Sequence, residues 1–427
     1  MHRRQALSLF TGAMGASLLA SCTSTPPATP PATAPAIATA PPRPSDGFAL
    51  GIDQLEQNGF AALKGRRVGF ITNQTSVNRL GVPSRVVLQK GLGRDLKVLF
   101  GPEHGLDTRA RAGDHVGDGR DAATGLSALS LYGPTRKPTP DMLADLDVLV
   151  FEIQDIGLRS YTYISTMALA MEACGEAGKD FVVLDRPNPL AGTLVQGPPM
   201  EEALRSFVGQ VPVPYRHGLT IGELAKMIIG KGWIKANPDL TVVPMQGWTR
   251  SVLWPQTGLS WIATSPNIPN WDSPFYCAAT GILGELKNVD IGIGTPKPFH
   301  YAAARGIDGA AFAKAVNEQN LAGVQAKPYV STTKPGYSGI EIVLDPDAQP
   351  DVMALGIMLI YEVVRRSNGA ALAGNNASSL ELFTKVYGSD TLLTSLRNGT
   401  SWQELVTGWA PYIDTFKRDC QAYLLYR

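Results

Sequence analysis

Several kinds of residue and pattern are scarce in this 427-residue chain, and each scarcity removes a class of function. There are four cysteines, and past Cys22 only Cys174, Cys277 and Cys420 remain. Three at wide spacing make neither a disulfide framework nor a zinc signature, so they read as small buried hydrophobes. Of the five histidines, His104, His115, His217 and His300 lie beyond the amino terminus, and none stands in an HxH or HExxH spacing. No metal and no cofactor is therefore expected. Charge of one sign is missing too: 38 basic residues face 37 acidic ones, without a basic run or stripe, which argues against nucleic acid as a ligand. Beyond the amino-terminal segment no uncharged run is long enough to cross a bilayer as a helix, and no internal repeat is visible.

What is present begins with an address. Arg3 and Arg4 precede an apolar stretch over residues 6–20 that is too short for a membrane span. Leu19-Ala20-Ser21-Cys22 is similar to a bacterial lipobox, in which Cys22 would carry the lipid. An ordinary cleaved signal with an incidental cysteine is the plainer alternative, and the arginine pair suits either export route. No aspartate follows Cys22, so a periplasmic protein anchored by lipid to the outer membrane is expected, with no other membrane contact. Residues 23–47, rich in Pro, Ala and Thr, can bury no core and read as a tether.

The remaining residues, roughly 380 of them, suffice for two domains. Short apolar runs over 67–74, 96–100, 147–151, 180–184 and 240–245 read as strands, with helices over 85–91, 161–173 and following Thr220. Asp141 is placed as a helix N-cap, and Thr220 with Glu223 as a capping box. This alternation predicts an α/β fold: a Rossmann-like parallel-sheet domain over 48–275, then a smaller mixed α/β domain over 276–427. In the latter, 337–344 reads as a strand and 352–366, 391–398, 401–409 and 412–426 as helices. Residues 105–140 read as a long polar, Gly-rich connection of functional character.

Ligands of open parallel sheets sit beyond the carboxyl ends of the strands. Those ends carry Glu103 and His104, then Glu152 and Asp155, then Asp185, Arg186 and Asn188. Carboxylates gathered at one cleft can act as acid, base or nucleophile. For Asp185 and Arg186 a mutual ion pair is the bland alternative, and for His217, Tyr161 and Tyr163 it is packing.

Pro102-Glu103-His104-Gly105, Phe151-Glu152-Ile153-Gln154-Asp155-Ile156-Gly157 with Arg159, Tyr161 and Tyr163, and Leu184-Asp185-Arg186-Pro187-Asn188-Pro189-Leu190 come in this order. Together they resemble the family once described as DUF1343, whose characterised members are exo-acting β-N-acetylmuramidases of the NamZ type. The resemblance runs from about residue 51 onward. It implies a glycoside hydrolase acting on peptidoglycan-derived muramyl sugars. Glu103, at a strand end between a proline-fixed turn and His104-Gly105, is the expected acid. The second carboxyl is ranked Asp155, then Glu152, then Glu285. Sugar contacts are expected from His104, Arg159, Tyr161, Tyr163, Asp185, Arg186, Asn188, His217, Ser265, Asn267 and Glu285. Arg186, with Arg159 as its rival, would clamp the lactyl carboxylate of N-acetylmuramic acid. The family pattern Glu-Gly-Thr-Asn, then Gly-Arg-Gly-Thr, is met here by Glu285-Leu286-Lys287-Asn288 and Gly292-Ile293-Gly294-Thr295. Lys287 and Ile293 leave open a non-catalytic wall-sugar-binding lipoprotein as a rival reading, and the Asp, His and Glu residues at the strand ends also suit a metal-dependent esterase or phosphatase.

Overall fold

The computed structural model describes residues 47–107, 110–111 and 113–427. The expected signal segment, Cys22 and all of the tether except Gly47 lie outside the described residues. Among the described residues no helix is long and apolar enough to cross a membrane.

The first sheet comprises β1 (Val68–Ile71), β2 (Leu96–Gly101), β3 (Gly119–Arg120), β4 (Ser127–Ser130), β5 (Val148–Phe151), β6 (Asp180–Leu184) and β7 (Leu240–Val243). Its order is β3-β4-β2-β1-β5-β6-β7. β3 alone runs antiparallel, against β4, so the six parallel strands have the order of a doubly wound dinucleotide-binding sheet. β1 and β5 are buried along their whole length because helices cover both faces, which is why their runs are uninterrupted Val, Leu, Ile and Phe. The strand order reverses between β1 and β5, so the crevice of the sheet opens there.

Two sequence expectations change in this half. Residues 105–140 are not a plain connection: they contain β3 and β4, and Val116 donates its N–H to Tyr132 to close the loop on itself. A two-residue strand and a four-residue strand between glycines carry no readable period. The helix after it is a single turn, Pro140–Leu143, capped by Thr139 and not by Asp141.

The second sheet is antiparallel, with β8 (Val289–Asp290), β9 (Tyr301–Arg305), β10 (Val324–Val330) and β11 (Tyr337–Leu344) in the order β10-β11-β9-β8. The helix Gly309–Asn317 lies on β10 and β11, while Ser273–Gly284 and Val352–Arg366 pack on each other. One apolar cluster joins this half to loops of the first sheet: Phe275, Ile282, Ile340 and Leu355 are buried together with Ile156, Leu158, Leu190 and Tyr215. The helix Ala410–Cys420 turns back. Its Phe416 and Cys420 are buried with Met171 and Leu224, and Tyr426 is buried with Val68 and Val182 under the first sheet. From residue 47 on the chain is one compact unit.

Candidate active site

The crevice at the strand reversal is filled by the chain's own side chains. Glu152, at the end of β5, is fully buried and pairs with Arg186 at 2.5 Å. Burial pushes its carboxyl up and the arginine's charge opposes that. Arg186 is committed further: Nε donates to Gln154 Oε1 at 3.0 Å and Nη1 to the Val77 carbonyl at 2.8 Å. The bland pairing considered for Asp185 thus forms with Glu152 instead. Asp185 accepts from Thr220 Oγ1 at 2.8 Å, Tyr426 Oη at 2.6 Å and the Gly222 N–H at 2.8 Å, at the start of the helix Ile221–Gly230. Burial nevertheless pushes it up to about 6.

Asp155 closes a turn by accepting the Gly157 N–H at 2.7 Å. Its Oδ1 finds no partner among the described residues, and burial pushes the carboxyl up to about 7. It lines a cavity of about 10 Å³ with Arg186, Asn188 and Thr220, room for a water and not for a sugar. Asn188 holds the next turn through Leu190 N and the Leu219 carbonyl. His217 is buried and accepts the Leu219 N–H on Nδ1, and burial lowers it to about 3, so it is a neutral imidazole.

Arg159 is fully buried. Its Nη1 donates to the carbonyls of Pro198 at 2.9 Å and Val213 at 2.8 Å, and Nη2 donates to that of Tyr387. It therefore ties the first sheet's loops to the second half, and burial lowers it to about 10. No spacing in the sequence announces such a role, because the three carbonyls come from remote turns.

The room for a ligand lies beside this packed crevice, toward β2. A cavity of about 220 Å³ is walled by Glu103 and His104 from the end of β2 and by Ser160, Tyr161 and Thr162 from the start of the helix Thr162–Glu176. Ser265 and Asn267 come from the Ser-Pro-Asn loop, and Cys277, Gly281 and Glu285 from the helix Ser273–Gly284 and its C-cap. Among the described lining residues the carboxyls are Glu103 and Glu285, and there is no arginine or lysine.

Glu103 is held. Its Oε1 accepts the Gly113 N–H at 2.9 Å and its Oε2 accepts Thr162 Oγ1 at 2.5 Å. Tyr132 stands beside it, its hydroxyl raised to about 12 by burial first and the Glu103 charge second. His104 has φ 68°, a left-handed conformation uncommon for a non-glycine, and its Nδ1 meets the Ala110 carbonyl at 2.7 Å. That leaves the imidazole as a shared wall between this cavity and a neighbouring one of about 450 Å³ lined by Arg85, Arg120, Asp121 and Ser130. Tyr161 and Tyr163 meet edge to face at 4.9 Å, and their hydroxyls fix Thr264 at 2.7 and 2.6 Å, so the Ser265 loop is positioned by them. Only Tyr161 reaches the cavity.

Glu285 is the opposite of Glu103. It makes no side-chain hydrogen bond among the described residues, and burial pushes it up to about 7. Thr162, Tyr132 and Gly281 were not singled out from the sequence, and Cys277, read there as a small buried hydrophobe, is partly exposed on the cavity wall. The last two share a signal that was available: 277, 281 and 285 are spaced four apart, one stripe of a helix. Lys287 and the 45% exposed Ile293 are not among the cavity's lining residues.

Two family models match, exo-β-N-acetylmuramidase NamZ, N-terminal, over residues 68–272, and its C-terminal counterpart over residues 275–426. The peptidoglycan β-N-acetylmuramidase NamZ of Bacillus subtilis (strain 168) is 38% identical over 384 residues, 88% of this chain and 91% of that protein. A crystal structure of a DUF1343 family protein from Bacteroides fragilis matches 89% of this chain and 99% of its own, with TM-score 0.83 and 38% identity. A second such protein from the same organism covers the same shares with TM-score 0.72 and 25% identity.

Proposed function

The chain belongs to the NamZ family of exo-β-N-acetylmuramidases, and from that premise we propose that it releases terminal N-acetylmuramic acid from peptidoglycan fragments. The observation that carries this is the near full-length relationship to the B. subtilis enzyme. The cavity supports it. Hydrolysis of a glycosidic bond needs two carboxyls, one to protonate the leaving oxygen and one to serve the anomeric carbon. Glu103 and Glu285 wall one space, while Glu152 and Asp155 are closed into the strand-end packing. Around them stand the neutral hydrogen-bonding groups of Ser160, Ser265 and Asn267 and the rings of Tyr161 and Phe299, a lining suited to the hydroxyls and apolar face of a sugar. The lactyl carboxylate would meet such neutral donors, since Arg159 and Arg186 are spent on the protein's own carbonyls and Glu152.

The amino-terminal address supports placement at the periplasmic face of a membrane through lipid on Cys22. A chromogenic β-muramide tests the activity. Wild type should turn it over in the presence of a chelator, and Glu103→Gln should lose on the order of 10²–10⁴-fold in kcat. No turnover by a folded wild type that still binds the sugar would sink the reading. Cys22→Ser should move the protein from membrane to soluble fractions; continued membrane retention would refute the anchor.

A further inference from the structure

We propose that Glu285 is the proton donor to the glycosidic oxygen and that Glu103 is its ionised partner, the two being set apart by opposite poles of two helices. This deepens the glycosidase reading and rests on it, and it reverses the role expected for Glu103 from the sequence.

Glu103 accepts Thr162 Oγ1 at the first residue of the fifteen-residue helix Thr162–Glu176, and its other oxygen accepts a backbone N–H. The amino end of a helix carries partial positive charge and favours an anion. Glu285 is the C-cap of the twelve-residue helix Ser273–Gly284, where the unpaired carbonyls concentrate partial negative charge and disfavour one. Nothing around Glu285 offsets this. The groups facing it are Cys277 and Tyr215, both kept neutral by burial, with Glu103 and His104 across the cavity. No lysine or arginine lines the space among the described residues. A carboxyl in that setting keeps its proton, and its rise to about 7 agrees with the geometry. Two carboxyls in one site whose surroundings separate them are an acid and a base.

In the reaction the Glu285 proton passes to the glycosidic oxygen as the C1–O bond breaks and its electron pair moves onto that oxygen. Water adds to C1, and its displaced proton passes to the Glu103 carboxylate. The products are the muramic acid hemiacetal and the leaving sugar with a free hydroxyl. Proton exchange with solvent resets the pair.

The test compares two leaving groups across pH. Glu285→Gln should lose about 10²–10⁴-fold in kcat/KM on a disaccharide, whose alkoxide needs protonation. It should recover most of that loss on a dinitrophenyl β-muramide, whose phenolate leaves unaided. The alkaline limb of the wild-type profile should vanish in this variant. Glu103→Gln should be slow on both substrates. Recovery by Glu103→Gln instead, or a Glu285→Gln variant as active as wild type on the disaccharide, overturns the assignment. So does equal loss on both substrates by a Glu285→Gln protein with wild-type thermal unfolding. An inactive wild type would strike the glycosidase reading itself, a separate outcome.

Discussion

At the scale of single residues the strand ends hold acids of two kinds, and their pH behaviour separates them. Asp155 keeps its proton to about 7 in the folded chain against 3.8 for an ordinary aspartate, because burial disfavours the anion. The folded protein then binds the extra proton between those values. The contribution is complete below 3.8 and is lost as pH rises through 7. His217 acts in the other sense, since its folded value of about 3 lies below 6.5, so its contribution grows as pH rises between them. Asp155→Asn, which keeps an acceptor for Gly157, should flatten the fall of Tm toward pH 7; an unchanged slope would refute this. Breaking the Glu152–Arg186 pair with Glu152→Gln should cost about 3–5 kcal/mol in urea unfolding, because a buried charge is left alone. A loss below about 1 kcal/mol would show that the pair is not what closes the crevice. Glu103 was legible because an apolar run stops at Pro-Glu-His-Gly. The inward commitment of Glu152, Arg159 and Arg186 was not, because their partners are backbone carbonyls and side chains brought from far along the chain.

Elements repeat the pattern of what could be read. The strand Tyr337–Leu344 and the helices Val352–Arg366 and Thr391–Asn398 fall at the expected residues, since each has a long, clean period with polar ends. The Thr220–Glu223 capping box forms as written, with the helix Ile221–Gly230 behind it. The short strands β3, β4 and β8 were missed because two to four residues show no period, and the helix Gly309–Asn317 was missed because four of its nine residues are small alanines that mark its buried face weakly. The segment after Ala410–Cys420 is more than an exposed end. Leu425 donates its N–H to Glu223, which also pairs with Arg250 at 2.8 Å, and the Tyr426 hydroxyl joins Asp185 to the Met245 N–H. Tyr426→Phe therefore strips a donor from a buried aspartate and should cost about 1–3 kcal/mol by chemical denaturation. A neutral substitution would mean that Asp185 is satisfied by Thr220 and Gly222 alone.

For the whole molecule, the doubly wound first sheet was readable from β-α-β alternation, whereas the way the second half locks onto it was not. That lock is made by an apolar cluster common to both halves, by Arg159, and by the returning helix Ala410–Cys420. Calorimetry should accordingly show one endotherm with equal calorimetric and van't Hoff enthalpies; two resolved transitions would refute the coupling. The cavity sits on the same seam, with Glu103 supplied by the first sheet and Glu285 by the helix across from it. Retention and inversion at the anomeric carbon differ by only a few ångströms of carboxyl separation, about 5–5.5 against 6.5–9.5 Å. In this architecture the two acids come from opposite sides of a seam in which Leu158, Tyr215 and Phe275 are buried together. An interior substitution there would act on the spacing of the two acids without altering either of them.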